Sequence, residues 1–261
     1  MIDATGYIVS PGFIDVHTHD DHLLMVNPEV TPKLSQGVTT VVIGNCGISL
    51  SPWLADRSPP PPMNLIGTQE SYHFPTFATF CSELERKPAA INSVPLIGHS
   101  TLRCAAMEDL DRPAREREIQ IMKTQLRACL EAGAAGFSTG LAYAPSRAAP
   151  AEEVTVLASE LSAFGGIYAT HMRNEEDHLF DALEETFVTA RRAGCPVVIS
   201  HHKCAGPAMR GQSAKSLAKI ESAARQQPIG LDVYPYTAAS TILMEEHIEE
   251  STRILVTWSA A

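Results

Sequence analysis

Pro11-Gly12-Phe13-Ile14-Asp15-Val16-His17-Thr18-His19-Asp20-Asp21 is an apolar run that closes on two histidines separated by one residue. In an extended strand successive side chains leave opposite faces, so His17 and His19 project from one face, a pleat apart, where two imidazoles can grip one cation. Taken alone, the pair fits polar surface residues equally well. A catalytic zinc needs about three protein ligands and an open position, so the reading depends on whether other strands also end in ligand-type side chains.

Further short apolar runs do end that way. Candidate strands at 12–17, 39–46, 94–99, 136–139, 167–171, 196–201 and 229–234 alternate with segments of helical period. Ile119, Met122, Leu126, Cys129 and Leu130 share one helical stripe, and Leu179, Leu183, Phe187 and Ala190 another. Pro113 and Pro150 lie near helix starts, while Gly133, Gly165 and Gly194 follow helix ends. Alternating strands and helices imply a parallel sheet, and strands apolar throughout imply burial on both faces. Together these predict an α/β chain folded as an incomplete (β/α)8 TIM-type barrel with about seven of eight strands. A doubly wound dinucleotide-binding sheet fits less well, because no glycine-rich phosphate loop follows the first strand.

The sequence after Tyr236, through 253–261, shows no turn-to-strand pattern that would close the barrel. Residues 51–80 interrupt the alternation. Their Pro59-Pro60-Pro61-Pro62 run reads as a spacer, and Trp53, Tyr72, Phe74, Phe77 and Phe80 suggest a loop excursion packed on the barrel mouth. Residues 1–10, with a turn at Thr5-Gly6, read as the last hairpin of a small β-domain, ahead of a partial barrel domain at 11–261.

Composition narrows the class further. The chain has 261 residues, 44% hydrophobic and 19% charged, with a formal charge of −10 and no basic cluster, so nucleic acid and anionic membrane are poor partners. No apolar run approaches the roughly 18 residues of a membrane span, and Met1-Ile2-Asp3 does not resemble a signal peptide. Six scattered cysteines with no CxxC pair predict reduced thiols and a cytoplasmic setting. Oligomeric state is not legible.

In a barrel of this kind all strand C-termini open on one face, which carries the chemistry. Reading the ends gives His17 and His19 on the first strand, Cys46 on the second, His99 on the third, His171 on the fifth, and His201 with His202 on the sixth. Cys46 sits in Gly44-Asn45-Cys46-Gly47, where small or turn-forming neighbours let a thiolate face the mouth instead of filling the core. His202 must point to the opposite face from His201 and is read as structural. His99 is equally consistent with supporting the site and with filling the core. His22, His73, His178 and His247 are read as loop or surface residues.

With these residues in place, a family resemblance becomes visible. The runs Gly12 to Asp21, Gly37-Val38-Thr39-Thr40-Val41-Val42-Ile43-Gly44-Asn45-Cys46-Gly47, Gly98-His99-Ser100-Thr101-Leu102-Arg103, Gly136-Phe137-Ser138-Thr139-Gly140-Leu141-Ala142-Tyr143, Ala169-Thr170-His171-Met172-Arg173-Asn174-Glu175, Ser200-His201-His202-Lys203 and Asp232-Val233-Tyr234-Pro235-Tyr236-Thr237 resemble the N-acyl-D-amino-acid deacylases (D-aminoacylases) of the amidohydrolase superfamily. The strand-two cysteine is a specific mark, since many relatives instead bridge two metals with a carboxylated lysine and the fourth strand here offers none.

The resemblance implies a zinc enzyme that hydrolyses the amide of an N-acyl-D-amino acid to a carboxylate and a free D-amino acid. It implies a tight zinc on Cys46, His171 and His201, a weaker second position at His17 and His19, and a substrate pocket lined by Tyr143, Lys203, Tyr234 and Ser240. It also implies a catalytic aspartate at the end of an eighth strand, which this chain does not show. Asp232, on the seventh strand, reads as too deep to substitute. The expectation is therefore a fragment of a longer hydrolase that binds zinc poorly and turns over little by itself. A cyclic-amide hydrolase, or a non-catalytic zinc-binding remnant, are the alternatives.

Overall fold

The computed structural model of the chain describes residues 3–242 and 253–255. Seven parallel strands form one sheet: β1 (Phe13–Asp15), β2 (Val38–Ile43), β3 (Asn92–Gly98), β4 (Gly136–Gly140), β5 (Ile167–His171), β6 (Val197–Ile199) and β7 (Ile229–Leu231). Each pairs with its neighbour in chain order. A doubly wound sheet reverses its strand order at a switch point, and this one does not. It winds in one direction and curls, so that His17, just past β1, lies 3.4 Å from the carboxylate of Asp232, just past β7. The result is an incomplete TIM-type barrel.

Helices of eight or more residues lie between the strands: α1 (Phe77–Arg86), α2 (His99–Ala106), α3 (Glu116–Glu131), α4 (Ala151–Ala158), α5 (Leu179–Ala193) and α6 (Ser213–Ala224). The predicted stripes are the faces that bury. Met122, Leu126, Cys129 and Leu130 of α3 and Leu179, Leu183, Phe187 and Ala190 of α5 are all in the core. Helix α5 ends on Gly194 at φ 68°, a left-handed cap that a side chain would strain. No helix among the described residues is long and apolar enough to cross a membrane, and all six cysteines are free.

Two expectations change, at the end of β1 and at the N-terminus. β1 ends at Asp15, so His17 and His19 lie on the following loop and strand alternation does not orient them; their rings are nevertheless 5.6 Å apart. Residues 51–80, read as a packed excursion, bury Trp53, Met63, Tyr72, Phe74, Phe77 and Phe80 in the main core. There Trp53–Leu54 pairs with His73–Phe74 in a small antiparallel ribbon, because five large aromatics can only be sheltered by packing against α2 and α3. At the N-terminus a turn forms at Thr5, whose N–H and hydroxyl donate to Asp3, but no strand flanks it among the described residues.

Candidate metal centre

The loop after β2 is built to hold Cys46 over the barrel mouth. Cys46 has φ 53°, which turns the chain out of the strand. Its neighbours are fixed on every side: Gly44 N–H donates to the buried Asp21 (3.2 Å), Asn45 Nδ2 to Val42 O (3.0 Å), and Gly47 N–H to Ser138 Oγ (3.0 Å). The Ser138 hydroxyl in turn donates to Gly44 O. A Cβ on Gly140 would come within 2.2 Å of Cys46 O, so the glycine that ends β4 is what lets the loop pass. Burial pushes the Asp21 carboxyl up to about 6.

Around this sulfur the ligand-type side chains converge. Cys46 Sγ lies 3.3 Å from His17 Nε2 and 3.5 Å from His201 Nε2. The His201 ring is 5.0 Å from that of His17 and 4.5 Å from that of His171. His17, Cys46 and His201 form one group whose ligand atoms all lie within 4.8 Å of one another, and His171, Glu175 and His201 form a second. The sequence grouped Cys46 with His171 and His201; in the fold His201 is the shared member, and His17 stands as close to the sulfur as His201 does. His19 is exposed at the edge of the cluster.

Carboxylates stand behind both imidazoles that face the sulfur. Glu175 Oε1 is 2.8 Å from His201 Nδ1, and Asp232 Oδ2 is 3.4 Å from His17 Nδ1. Asp232 Oδ1 also accepts from the His201 backbone N–H at 2.6 Å. An imidazole that gives its Nδ1 proton to a carboxylate presents a lone pair at Nε2, the arrangement of metal-ligating histidines. Burial acts against the charged His17 ring, yet Asp232 and Cys46 hold its pKa up to about 10; His201, with Cys46 and Glu175, is held at about 9. Burial also opposes the Cys46 thiolate, but the imidazoles of His17, His171, His19 and His201 outweigh it and bring the thiol well below its ordinary value. Glu175, pushed up by burial, is brought down to about 2 by His171, His201 and Lys203.

The donor set fits a divalent cation on this structure's own terms. A thiolate, several imidazoles and two carboxylates face one another, and the buried Nδ1 of His171 has no hydrogen-bond partner. A buried orphan acceptor is costly, and a cation satisfies it.

The other predicted positions divide. Tyr143 places its ring 4.6 Å from that of His171, and Lys203 Nζ lies 2.5 Å from Glu175 Oε2 and 5.8 Å from the centre of the Tyr234 ring. All three residues therefore border the cluster, whereas Ser240 is exposed. His99 resolves as core: it is fully buried, begins α2 and pairs with Glu153. His202 bonds Ser216 on α6, as a structural residue should. His22 is half-buried near Ser71, His73 and His178 are exposed, and His247 lies outside the described residues.

Glu175 and Asp232 are carboxylates of the cluster that the sequence reading did not count among the site residues. Glu175 follows His171 by four residues, a spacing that could have flagged it. Asp232, read as too deep, reaches the rim because β7 stops at Leu231 and the chain turns toward His17.

A D-aminoacylase of Alcaligenes xylosoxydans xylosoxydans is 48% identical over 257 residues, covering 98% of this chain and 53% of its own length. An N-acyl-D-glutamate deacylase from Bordetella bronchiseptica, solved with zinc and a phosphonate mimic of the tetrahedral intermediate, superposes with a TM-score of 0.90 at 42% identity, over 95% of this chain and 52% of that one. A D-aminoacylase with a binuclear metal centre gives 0.89 at 47%, over 91% and 50%. The chain thus spans about half the length of the relatives it matches. The amidohydrolase family model matches residues 1–246, and with strand order and relatives in accord, this chain belongs to the amidohydrolase family.

Proposed function

We propose that this chain carries the metal-binding half of a zinc-dependent hydrolase that cleaves N-acyl-D-amino acids to a carboxylate and a free D-amino acid. The observation that carries the reading is Cys46 Sγ at 3.3 and 3.5 Å from two Nε2 atoms whose imidazoles are each backed by a carboxylate. Cys46, His171 and His201 would hold the tight ion, with His17 and His19 at a weaker second position. Such an ion, when bound, polarises an amide carbonyl and lowers the pKa of a water bound to it. Matches to D-aminoacylases and to a zinc-bound N-acyl-D-glutamate deacylase support zinc and this substrate class.

The chain's own residues supply recognition and order. Lys203 offers an ammonium at the mouth for the substrate carboxylate, flanked by Tyr234; Tyr143 closes the side next to His171, and Ser240 lies beyond them. Both Asp232 oxygens are engaged, one on the His201 backbone and one near His17, so Asp232 orients ligands and is not free to carry a proton to the leaving amine. General acid–base help of that kind is worth roughly 10²–10⁴ in rate. No described residue stands in for it, so we expect slow turnover. The free cysteines support a cytoplasmic setting.

The test is a panel of N-acetyl-D-amino acids, their L-enantiomers, hydantoin and dihydrouracil on the zinc-loaded chain, read by calorimetric binding and by release of free amine. Selective binding and slow release with the D-enantiomers is expected. Preference for the cyclic amides would shift the reading to a cyclic-amide hydrolase, and binding of neither class would leave a metal-binding remnant.

A further inference from the structure

His201 Nδ1 has two neighbours that demand opposite things of it. Glu175 Oε1, at 2.8 Å, can only accept a proton from Nδ1, which leaves the Nε2 lone pair free toward Cys46. Lys203 Nζ, at 2.9 Å, can only donate to Nδ1, which would put the ring proton on Nε2 and block that nitrogen as a ligand. A ring that keeps Nε2 unprotonated for a metal cannot satisfy both.

We propose that Glu175 is a positioning residue that settles this contest, holding His201 with Nε2 open to a metal by taking the Lys203 ammonium onto its own second oxygen. Glu175 Oε2 sits 2.5 Å from Lys203 Nζ, and His201 O takes a further Lys203 hydrogen bond at 3.1 Å. Both are better acceptors for an ammonium than an imidazole nitrogen beside a carboxylate, so Lys203 has no need of Nδ1. One carboxylate, 11% exposed, thus joins the metal half of the site to the half that faces substrate. It keeps the lysine parked 5.8 Å from the Tyr234 ring centre while keeping it off the histidine. The inference rests on the proposed metal site and adds a residue to it.

The test combines zinc affinity, measured by chelator competition on the full chain, with nuclear magnetic resonance of isotope-labelled histidine in the zinc-loaded protein. In the unmodified chain His201 should show a protonated Nδ1 and a ligated Nε2. Glu175→Ala should weaken zinc by about 10–100-fold, the usual cost of removing a partner behind a ligating histidine. Removing the competitor as well, in Glu175→Ala/Lys203→Met, should recover part of that loss, whereas Lys203→Met alone should leave affinity within about twofold. A merely structural glutamate would not be rescued by deleting a neighbouring lysine.

Glu175→Ala with unweakened zinc binding, a double variant no tighter than the single, or an Nδ1-ligated His201 in the unmodified chain would each overturn the proposal. The spectrum of the unmodified chain decides even if the variants fold poorly. Cys46→Ser separates the two levels: if it too leaves zinc affinity unchanged, the metal site itself is wrong, and if it weakens zinc while Glu175→Ala does not, only the role of Glu175 fails.

Discussion

Two polar clusters in this molecule both build on histidine and carboxylate side chains and differ in whether ligand-type atoms converge on one point. Between α2 and α4, Arg103 Nη1 donates to Glu153 Oε1 (2.5 Å), and His99 Nε2 lies 3.0 Å from the same oxygen. Glu153 Oε2 accepts from the Ala114 N–H, and the remaining Arg103 donors go to the carbonyls of Pro145, Leu110 and Arg112. Burial keeps the His99 ring neutral, so one guanidinium meets one carboxylate, while His99 Nδ1 has no hydrogen-bond partner. At the rim, a thiolate and four imidazoles crowd together, and His171 Nδ1 is left unpaired. The first cluster pairs a guanidinium with a carboxylate and pins the segment between α2 and α4; the second gathers ligand-type atoms within 4.8 Å of one another. Each cluster holds one histidine nitrogen without a partner, so what marks the rim as a candidate site is the convergence of a sulfur and several imidazoles on one point, which an ion pair between two helices lacks.

Substitutions on each side can break that contrast. The largest effect should come from Glu153→Gln, which leaves the fully buried Arg103 charge uncompensated. We expect a loss of about 3–5 kcal/mol in urea unfolding, with zinc affinity of the folded protein unchanged. Cys46→Ser is the mirror image: zinc affinity should fall by more than the about 10–100-fold carried by partners behind a ligand, with a smaller change in metal-free stability than Glu153→Gln causes. If Cys46→Ser unfolds the chain as readily as Glu153→Gln while zinc still binds, the two clusters are the same kind of object and the contrast fails.

A smaller effect sharpens the comparison through pH. Burial pushes Glu153 up, but His99 and Arg103 bring it to about 2, below its ordinary 4.5. A depressed carboxyl contributes stability that is fully present above 4.5 and is lost as pH falls toward 2, because the native state must then be protonated against its partners. Unfolding midpoints measured across that window should decline in the unmodified chain and decline less in Glu153→Gln. Equal slopes would remove Glu153 as the cause.

Much of this was legible before any coordinates. Seven strands, their parallel order, the two helical stripes and the identity of Cys46, His171 and His201 as rim residues all follow from period, apolar runs and residue type. The seven strands were placed within a few residues, and the error lay at their C-terminal ends, where Cys46 and His201 take positive φ and leave the strand. No apolar pattern announces such a turn. The excursion at 51–80 is legible as packed from its aromatics, but its short antiparallel ribbon is not, because two-residue strands leave no periodicity to read.

What the sequence determined by itself is the barrel and the list of ligand-type residues, because periodicity and residue chemistry are local properties. What the tertiary structure alone decided is who stands behind each ligand: Glu175 at His201, 26 positions away, and Asp232 at His17, 215 positions away. It also decided that His99 pairs with Glu153 in the core and that His171 stands at the rim beside His201. Those pairings depend on where a curled sheet brings strand ends together in space, and spacing along the chain carries no record of that distance.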